Sequence, residues 1–259
     1  MFIRLFISFT FIFITGCSSI NFIKEPVLND DIFLKAKVFL DKNKYEKAKS
    51  NFLQIANTEK GSELALQSHF YLGHSYYGLK NYDESIYHFN YYSMFSKDII
   101  KIEESQFMKS KCIYKMTVPY NNDQTQTFLA IPTIQEFLDN FPLSKHNKEA
   151  NNMIASLRNK ISKKYYETGR LYMKMKSYNA AKYYFDLVIN DYYDTKYFNE
   201  AKISYIFNYL LMDDYDNAFN YYNDNKDSFT SKEKQEEAES VLSKYKNKIG
   251  LSGYYRLYR

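Results

Sequence analysis

The sequence predicts an all-α protein built as an array of about five helix pairs, and three observations support this. Small residues recur among bulky ones at helical spacing; in residues 165–195, Gly169 and Ala181 are small. Tyr172 and Phe185 flank them with large rings, as expected where two antiparallel helices cross closely. The same arrangement returns along the chain, which indicates a repeat array. Seven glycines and four prolines in 259 residues are too few for a β-protein with many tight turns.

Five units align on the small residue of their second helix, at intervals of 37 to 51 residues. Five units exceed the roughly three that a repeat protein needs to bury a continuous core. A polar closing helix suits the exposed end of such an array. The aligned residues are Ala48, Ser85, Ala130, Ala181 and Ala218. The array is expected over residues 30–249, with units near 30–58, 63–96, 103–142, 147–195 and 199–225, a capping helix at 231–249 and a tail at 250–259.

The first sixteen residues are typical of a signal peptide. Arg4 precedes an apolar run from Leu5 to Ile14, which is about half the ~20 residues that a membrane-spanning helix needs. A short apolar run after a basic residue, ending in small residues, favours a cleaved leader over a membrane anchor. We therefore expect a signal peptide over residues 1–16.

Residues 14–17, Ile-Thr-Gly-Cys, resemble the bacterial lipobox, in which the cysteine is lipidated on sulfur and becomes the new N-terminus. The resemblance implies lipidation of Cys17 and a lipidated tether over residues 17–29. Several acyl chains on one residue anchor firmly, because each buried CH₂ adds ~0.8 kcal/mol. Ser18 stands where Asp specifies inner-membrane retention in some bacteria, which favours the outer membrane. The alternative is an ordinary secreted start with an incidental cysteine.

Composition and spacing disfavour reaction chemistry and nucleic-acid binding. The net charge is +5, and Lys and Arg are dispersed among carboxylates. Cys112 lies in a helical pattern and is interpreted as a small buried hydrophobe. We expect no enzyme activity, no metal, no cofactor and no nucleic acid as partner. Four histidines lie outside any HExxH or nucleophile-elbow context: His69, His74, His88 and His146.

The second unit resembles the tetratricopeptide repeat. That repeat carries Leu-Gly and an aromatic residue on its first helix, and Tyr, a small residue and an aromatic residue on its second. The resemblance implies a right-handed superhelix with a groove that can hold an extended or helical peptide. The matching residues are Leu72, Gly73, Tyr76, Tyr82 and Phe89, with Ser85 in place of the usual alanine.

A more specific set of motifs lies between residues 104 and 201. They are Glu104–Lys109, Asp123–Thr125 with Thr127, Ala130-Ile131, Phe137–Ser144, Leu157–Lys160, Tyr178–Ala181 and Asp194-Thr195. Their order and offsets resemble the BamD family of outer membrane protein assembly factors, most closely its Bacteroidetes forms. The resemblance implies a lipid-anchored periplasmic scaffold of the β-barrel assembly machinery at the outer membrane. Its implied partners are a BamA-like barrel-forming subunit, unfolded outer-membrane proteins and, through the lipid anchor, the membrane.

Repeat position predicts which side chains of the early first helices face the groove. Aromatic residues with a few lysines suit unfolded barrel strands, which end in aromatic residues. For each aromatic candidate the alternative is a place in the helix-packing core. The rival function is a repeat lipoprotein that acts as an adaptor for cell-wall synthesis or envelope constriction, which differs in its partner. The candidates are Phe33, Lys37, Phe70, His74, Tyr77, Phe107, Lys111 and Tyr114.

Overall fold

The computed structural model describes residues 28–250, which form eleven α-helices. The expected signal peptide, Cys17, most of the tether and all but the first residue of the tail lie outside the described residues. The helices are α1 (Asn29–Asp41), α2 (Tyr45–Thr58), α3 (Glu63–Gly78), α4 (Tyr82–Phe95), α5 (Ile99–Met116), α6 (Thr125–Asn140), α7 (Asn147–Lys174), α8 (Tyr178–Asp191), α9 (Phe198–Leu211), α10 (Tyr215–Asn225) and α11 (Lys232–Lys246), with one 3₁₀ turn at Lys226–Ser228.

The helices pack as successive antiparallel pairs. Each helix from α1 to α10 contacts the next, and α11 packs against α9 and α10. The odd-numbered helices α1, α3, α5, α7 and α9 also contact one another in order, so they form a shared face of the array. The prediction of an all-α array of five helix pairs is confirmed for the described part of the chain, and α11 closes it. No helix in residues 28–250 is both long and apolar enough to cross a bilayer.

The turns within four of the five pairs share one backbone conformation. Asn43, Lys80, Lys176 and Asp213 all have φ between 54° and 61°, directly after the first helix of a pair. In each turn the next residue donates its N–H to a carbonyl five positions back, as Ser177 does to Tyr172 O at 2.9 Å. This is the Schellman pattern that ends a helix and reverses the chain. The pair of α5 and α6 differs, with a longer loop between Thr117 and Gln124.

The glycines at two helix crossings lie directly against aromatic rings. A Cβ built on Gly169 would lie 2.6 Å from the ring of Phe185, and one on Gly73 would lie 2.7 Å from the ring of Phe89. The glycines therefore make room for an aromatic ring from the partner helix. Ser85, the serine in place of alanine, donates to Gly73 O at 2.8 Å, so its hydroxyl is satisfied within the core.

The long helix α7 joins the two halves of the core. Its first half packs Met153 and Leu157 against α5 and α6, and its second half packs Tyr166 and Met173 against α8 and α9. A single helix of 28 residues thus belongs to two hydrophobic clusters. This continuity fixes the early pairs relative to the late ones.

Candidate binding face

Six of the eight predicted groove residues lie partly exposed on the face of the odd-numbered helices. α1, α3 and α5 each contribute two of them, and these helices are neighbours on that face. We call this set the odd-helix row. Its members are Phe33, Lys37, His74, Tyr77, Lys111 and Tyr114.

The other two candidates lie beneath this face in the core. Phe70 is 4% exposed and packs with Phe89 and Tyr92. Phe107 is 3% exposed, and its ring stacks on that of His146 with centroids 4.0 Å apart. The alternative of core packing therefore describes these two residues, because a peptide on the surface could not reach rings enclosed by other helices.

The junction of α1 and α3 is an aromatic and cationic cluster. The ring of Phe33 meets that of Tyr71 edge to face, with centroids 5.5 Å apart. Lys37 Nζ lies 5.4 Å from the centroid of the same Tyr71 ring, within the range of a cation–π contact. Tyr71 therefore belongs to this face, one position after the buried Phe70 that sequence reasoning selected.

The junction of α3 and α5 joins a histidine to a carboxylate. His74 Nε2 lies 3.2 Å from Glu104 Oε1. The hydrogen bond from His74 lowers the pKa of Glu104 against the opposing effect of burial, and positive charge from Lys145 and His146 adds to the lowering. Glu104 is thus held ionised, and a carboxylate borders the row on this side.

A small cleft lies at the junction of α5 and α7 on this face. It has a volume of about 170 Å³. Lys111 Nζ lies 3.2 Å from Glu149 Oε1 and 5.9 Å from the Tyr77 ring centroid. Tyr114 OH and Ser156 Oγ lie 3.1 Å apart across the same junction. The cleft is lined by Tyr77, Lys111, Tyr114, Lys115, Glu149 and Met153.

Such a cleft can recognise a side chain that is apolar at its centre and polar at its edge. Aromatic rings and Met153 supply apolar contact, while Lys111 and Glu149 supply a cation and an anion. Pockets of this kind usually combine apolar walls with a few polar groups that fix orientation. The face as a whole alternates aromatic and charged side chains from α1 to α7.

Sequence reasoning missed four residues of this face. Two of them could have been found by extending the predicted stripes, because Tyr71 lies three positions before His74 and Glu104 lies seven before Lys111, spacings that share a helix face. The other two lie on α7, for which no groove residue was predicted. The missed residues are Tyr71, Glu104, Glu149 and Ser156.

The cysteine of the described chain is buried away from this face. Burial raises the pKa of the Cys112 thiol to about 11, against the hydrogen bond to Ser85. A thiol with so high a pKa stays protonated at neutral pH and is a weak nucleophile. Within residues 28–250, no three His, Cys, Asp or Glu side chains are grouped so that they could hold a metal ion.

Two family motifs that are distant in sequence meet in space. Arg158 Nε donates to Asp194 Oδ2 at 2.8 Å, and its terminal nitrogen donates to Asp191 O at 2.8 Å. Asn159 Oδ1 accepts the backbone N–H of Lys196 at 3.1 Å. The motif on α7 therefore fastens the turn between α8 and α9, which gives a physical reason for their joint presence.

Comparison of the sequence with known proteins agrees with the motifs. The sequence model of the family YfiO, described as outer membrane lipoprotein, matches residues 27–224. The outer membrane protein assembly factor BamD of Rickettsia prowazekii (strain Madrid E) is 26% identical over 209 residues, covering 80% of this chain and 82% of that protein. The solved structure of the apo form of RapI is 14% identical, covers 89% of this chain and 80% of that chain, and has a TM-score of 0.37.

The family match spans α1 to all but the last residue of α10, and so includes the odd-helix row. It confirms the resemblance to the BamD family that the motifs indicated, while the closeness to Bacteroidetes forms stays a prediction. The match over three quarters of the chain also assigns the protein to the outer membrane. The chain belongs to the YfiO family of outer membrane lipoproteins.

Proposed function

We propose that this protein is a scaffold for the assembly of β-barrel proteins into the outer membrane. It is anchored by lipid on Cys17 at the periplasmic face, and it holds a BamA-like barrel-forming subunit and unfolded outer-membrane proteins. It makes and breaks no covalent bond. The family match and the role of the Rickettsia relative as an outer membrane protein assembly factor support this function.

The observation that carries the proposal is the odd-helix row with its cleft. An unfolded barrel strand presents alternating side chains and ends in an aromatic residue. The cleft beside Tyr77 and Lys111 offers apolar contact for the ring, and the paired Lys111 and Glu149 offer polar contacts at its rim. Lys37 on α1 provides a second cation along the same face. Helical repeat arrays bind peptides through extended faces of this kind.

The test of this function is association in the cell envelope. The tagged full chain is purified from detergent-solubilised envelopes, and the proteins that accompany it are identified by mass spectrometry. A barrel-forming outer-membrane protein as the main partner supports the assembly role. Recovery of cell-wall synthases in its place would assign the chain to the rival class of adaptors and contradict the proposal.

The anchor is tested separately by replacing Cys17 with alanine. Without the acylated sulfur the protein loses its hydrophobic anchor and should move from the membrane fraction to the soluble periplasm. The chain has two cysteines, so the matched control is Cys112→Ala, which should leave the protein in the membrane fraction. Unchanged membrane association of Cys17→Ala would disprove lipid anchoring at this residue.

A further inference from the structure

The antiparallel pairing gathers distant turns at one edge of the array. Odd helices begin at this edge and even helices end there, so it carries the start of α1 and the turns that connect successive pairs. Asn29 Nδ2 donates to Glu59 Oε1 at 2.5 Å, which joins the start of α1 to the end of α2. Ser144 Oγ donates to Glu103 Oε1 at 2.6 Å, which joins the turn after α6 to the first turns of α5.

This edge exposes large apolar side chains that the core does not use. Leu143 is 97% exposed, Ile100 78% and Met94 75%. Ile100 and Leu143 border one cavity of about 250 Å³, so their side chains lie close together although the residues come from different turns. Single exposed apolar residues are ordinary, but a group of this kind marks an interaction surface. We call it the apolar edge; its members are Leu28, Met94, Phe95, Ile99, Ile100 and Leu143.

A row of aromatic side chains runs along α4 from this edge. The rings of Tyr91 and Phe95 have centroids 4.8 Å apart, and those of Tyr87 and Tyr91 are 6.5 Å apart. Successive members are four residues apart, which is ~6 Å along a helix. The purely apolar ring thus lies at the tip and the two hydroxyl-bearing rings lie further in. Tyrosine is enriched at the depth of lipid headgroups, just outside an apolar layer.

Exposed lysines accompany the apolar residues. Lys60 lies in the turn between α2 and α3 and borders a cavity of about 700 Å³ with Tyr91 and Phe95. Lys97 lies between Phe95 and Ile99, and Lys145 follows Leu143 by two positions. Carboxylates lie on this edge as well, since Glu103 and Glu104 line the cavity beside Ile100 and Leu143 and Asp98 precedes Ile99. The three lysines supply the attraction to anionic headgroups at a bilayer interface.

The position of the tether selects the bilayer as the occupant. The array begins at Leu28, on this edge, eleven residues after Cys17. Eleven residues span at most ~40 Å, so the proposed lipid on Cys17 keeps this end of the array near the membrane. We propose that the apolar edge inserts its side chains into the interface of the bilayer to which the chain is anchored. This orientation rests on the proposed anchor at Cys17 but is independent of the partner bound.

The absence of tryptophan from the chain permits a direct test. Leu143→Trp places a single reporter on the apolar edge. Met175→Trp places one at the opposite edge, in the turn after α7, where Met175 is 62% exposed. Each acylated full-length protein is reconstituted into vesicles of phosphatidylethanolamine and phosphatidylglycerol, with and without bromine on the acyl chains. We expect blue-shifted emission and strong bromine quenching for Leu143→Trp, and water-exposed, unquenched emission for Met175→Trp.

Equal emission and quenching of the two reporters would overturn the proposal. A shift of Leu143→Trp that requires added envelope proteins would also overturn it, because the edge would then be a protein-binding surface. Ile100→Trp serves as a second reporter on the same edge and should match Leu143→Trp. Flotation of the same vesicles reports the lipid anchor independently, so failure of the anchor and failure of the edge give different results.

Discussion

At the scale of single residues, the packing of an aromatic ring directly over a glycine makes the core sensitive to a larger side chain at that position. A methyl group on Gly169 would lie 2.6 Å from the ring of Phe185, a side chain with no exposed surface. Gly169→Ala should therefore lower the free energy of unfolding by about 1–3 kcal/mol through overpacking. Urea denaturation followed by circular dichroism measures this change.

The control for this substitution is Gly250→Ala, because a Cβ at Gly250 meets nothing within 4 Å. It should leave the denaturation midpoint unchanged. The double variant Gly169→Ala with Phe185→Leu should lose less unfolding free energy than the two single variants lose together, since the smaller side chain leaves room for the methyl group. Wild-type stability of Gly169→Ala would show that the ring can move aside without loss.

A second residue-scale prediction concerns pH. His88 is 5% exposed, and burial together with the neighbouring His69 lowers its pKa to about 3. At pH values below about 6.5, the pKa of histidine in the unfolded chain, the unfolded chain binds a proton that the folded chain excludes. The free energy of unfolding therefore decreases as the pH is lowered from about 6.5 to about 3. Lowering the pH from 7 to 5 should cost the wild type about 2 kcal/mol at this site.

The measurement compares the unfolding free energies of the wild type and His88→Asn at pH 7 and pH 5. His88→Asn lacks the group that titrates, so its stability should change less over this interval. The difference between the two proteins reports His88 together with its neighbour His69, whose pKa is also lowered by burial and whose Nδ1 lies 2.9 Å from that of His88. An equal loss in both proteins would contradict the assignment of the acid sensitivity to this histidine.

The candidate site shows what single-residue prediction can and cannot resolve. Helical periodicity placed six of eight candidates on the odd-helix face, because side chains at i, i+4 and i+7 share one side of a helix. It could not choose between the adjacent aromatic residues Phe70 and Tyr71, which differ by only ~100° around the helix. The neighbouring helices decide this, and they enclose Phe70 while Tyr71 meets Lys37.

At the scale of helices and turns, the repeated left-handed turn residue offers a route to higher stability. Lys176 has φ 59°, a conformation that glycine adopts without steric penalty. Lys176→Gly should raise the free energy of unfolding by about 0.5–1 kcal/mol, after allowance for the greater freedom of glycine in the unfolded chain. Thermal denaturation should show a higher Tm.

The matched control for this turn is Lys174→Gly, two positions earlier and still helical. Lys174 has a helical backbone conformation, so glycine relieves no steric strain at this position. It should destabilise the protein by up to about 1 kcal/mol. Opposite signs for the two substitutions are the expected result. A loss of stability in both would mean that the turn carries no strain.

The elements themselves were largely predictable, and the exceptions have physical causes. Local periodicity gave five pairs because each helix buries one continuous stripe. It placed the start of the third unit at 103, whereas α5 begins at Ile99, where Asp98 accepts the N–H of Lys101 at 3.2 Å. Ile99 and Ile100 precede the buried stripe and face solvent, so periodicity alone did not include them.

At the scale of the whole molecule, the arrangement of surfaces depends on how the pairs stack. The odd-helix row and the apolar edge both combine residues from elements far apart in sequence. Neither Leu143 nor Ile100 is notable alone, and only the antiparallel stacking brings them to the edge at which the chain enters the array. The sequence could therefore predict the helical array but not which exposed side chains the stacking brings together at its edge.

Site-specific cross-linking tests the proposal that the odd-helix row holds other chains during barrel assembly. A photoreactive phenylalanine analogue is placed at Tyr77, on the row, and in a control protein at Tyr183 on α8, which is 60% exposed. Ultraviolet irradiation of intact envelopes is followed by mass spectrometry of the cross-linked products. We predict that position 77 cross-links to a barrel-forming subunit or an unfolded outer-membrane protein and that position 183 does not. Cross-linking of these proteins from position 183 but not from position 77 would contradict the account.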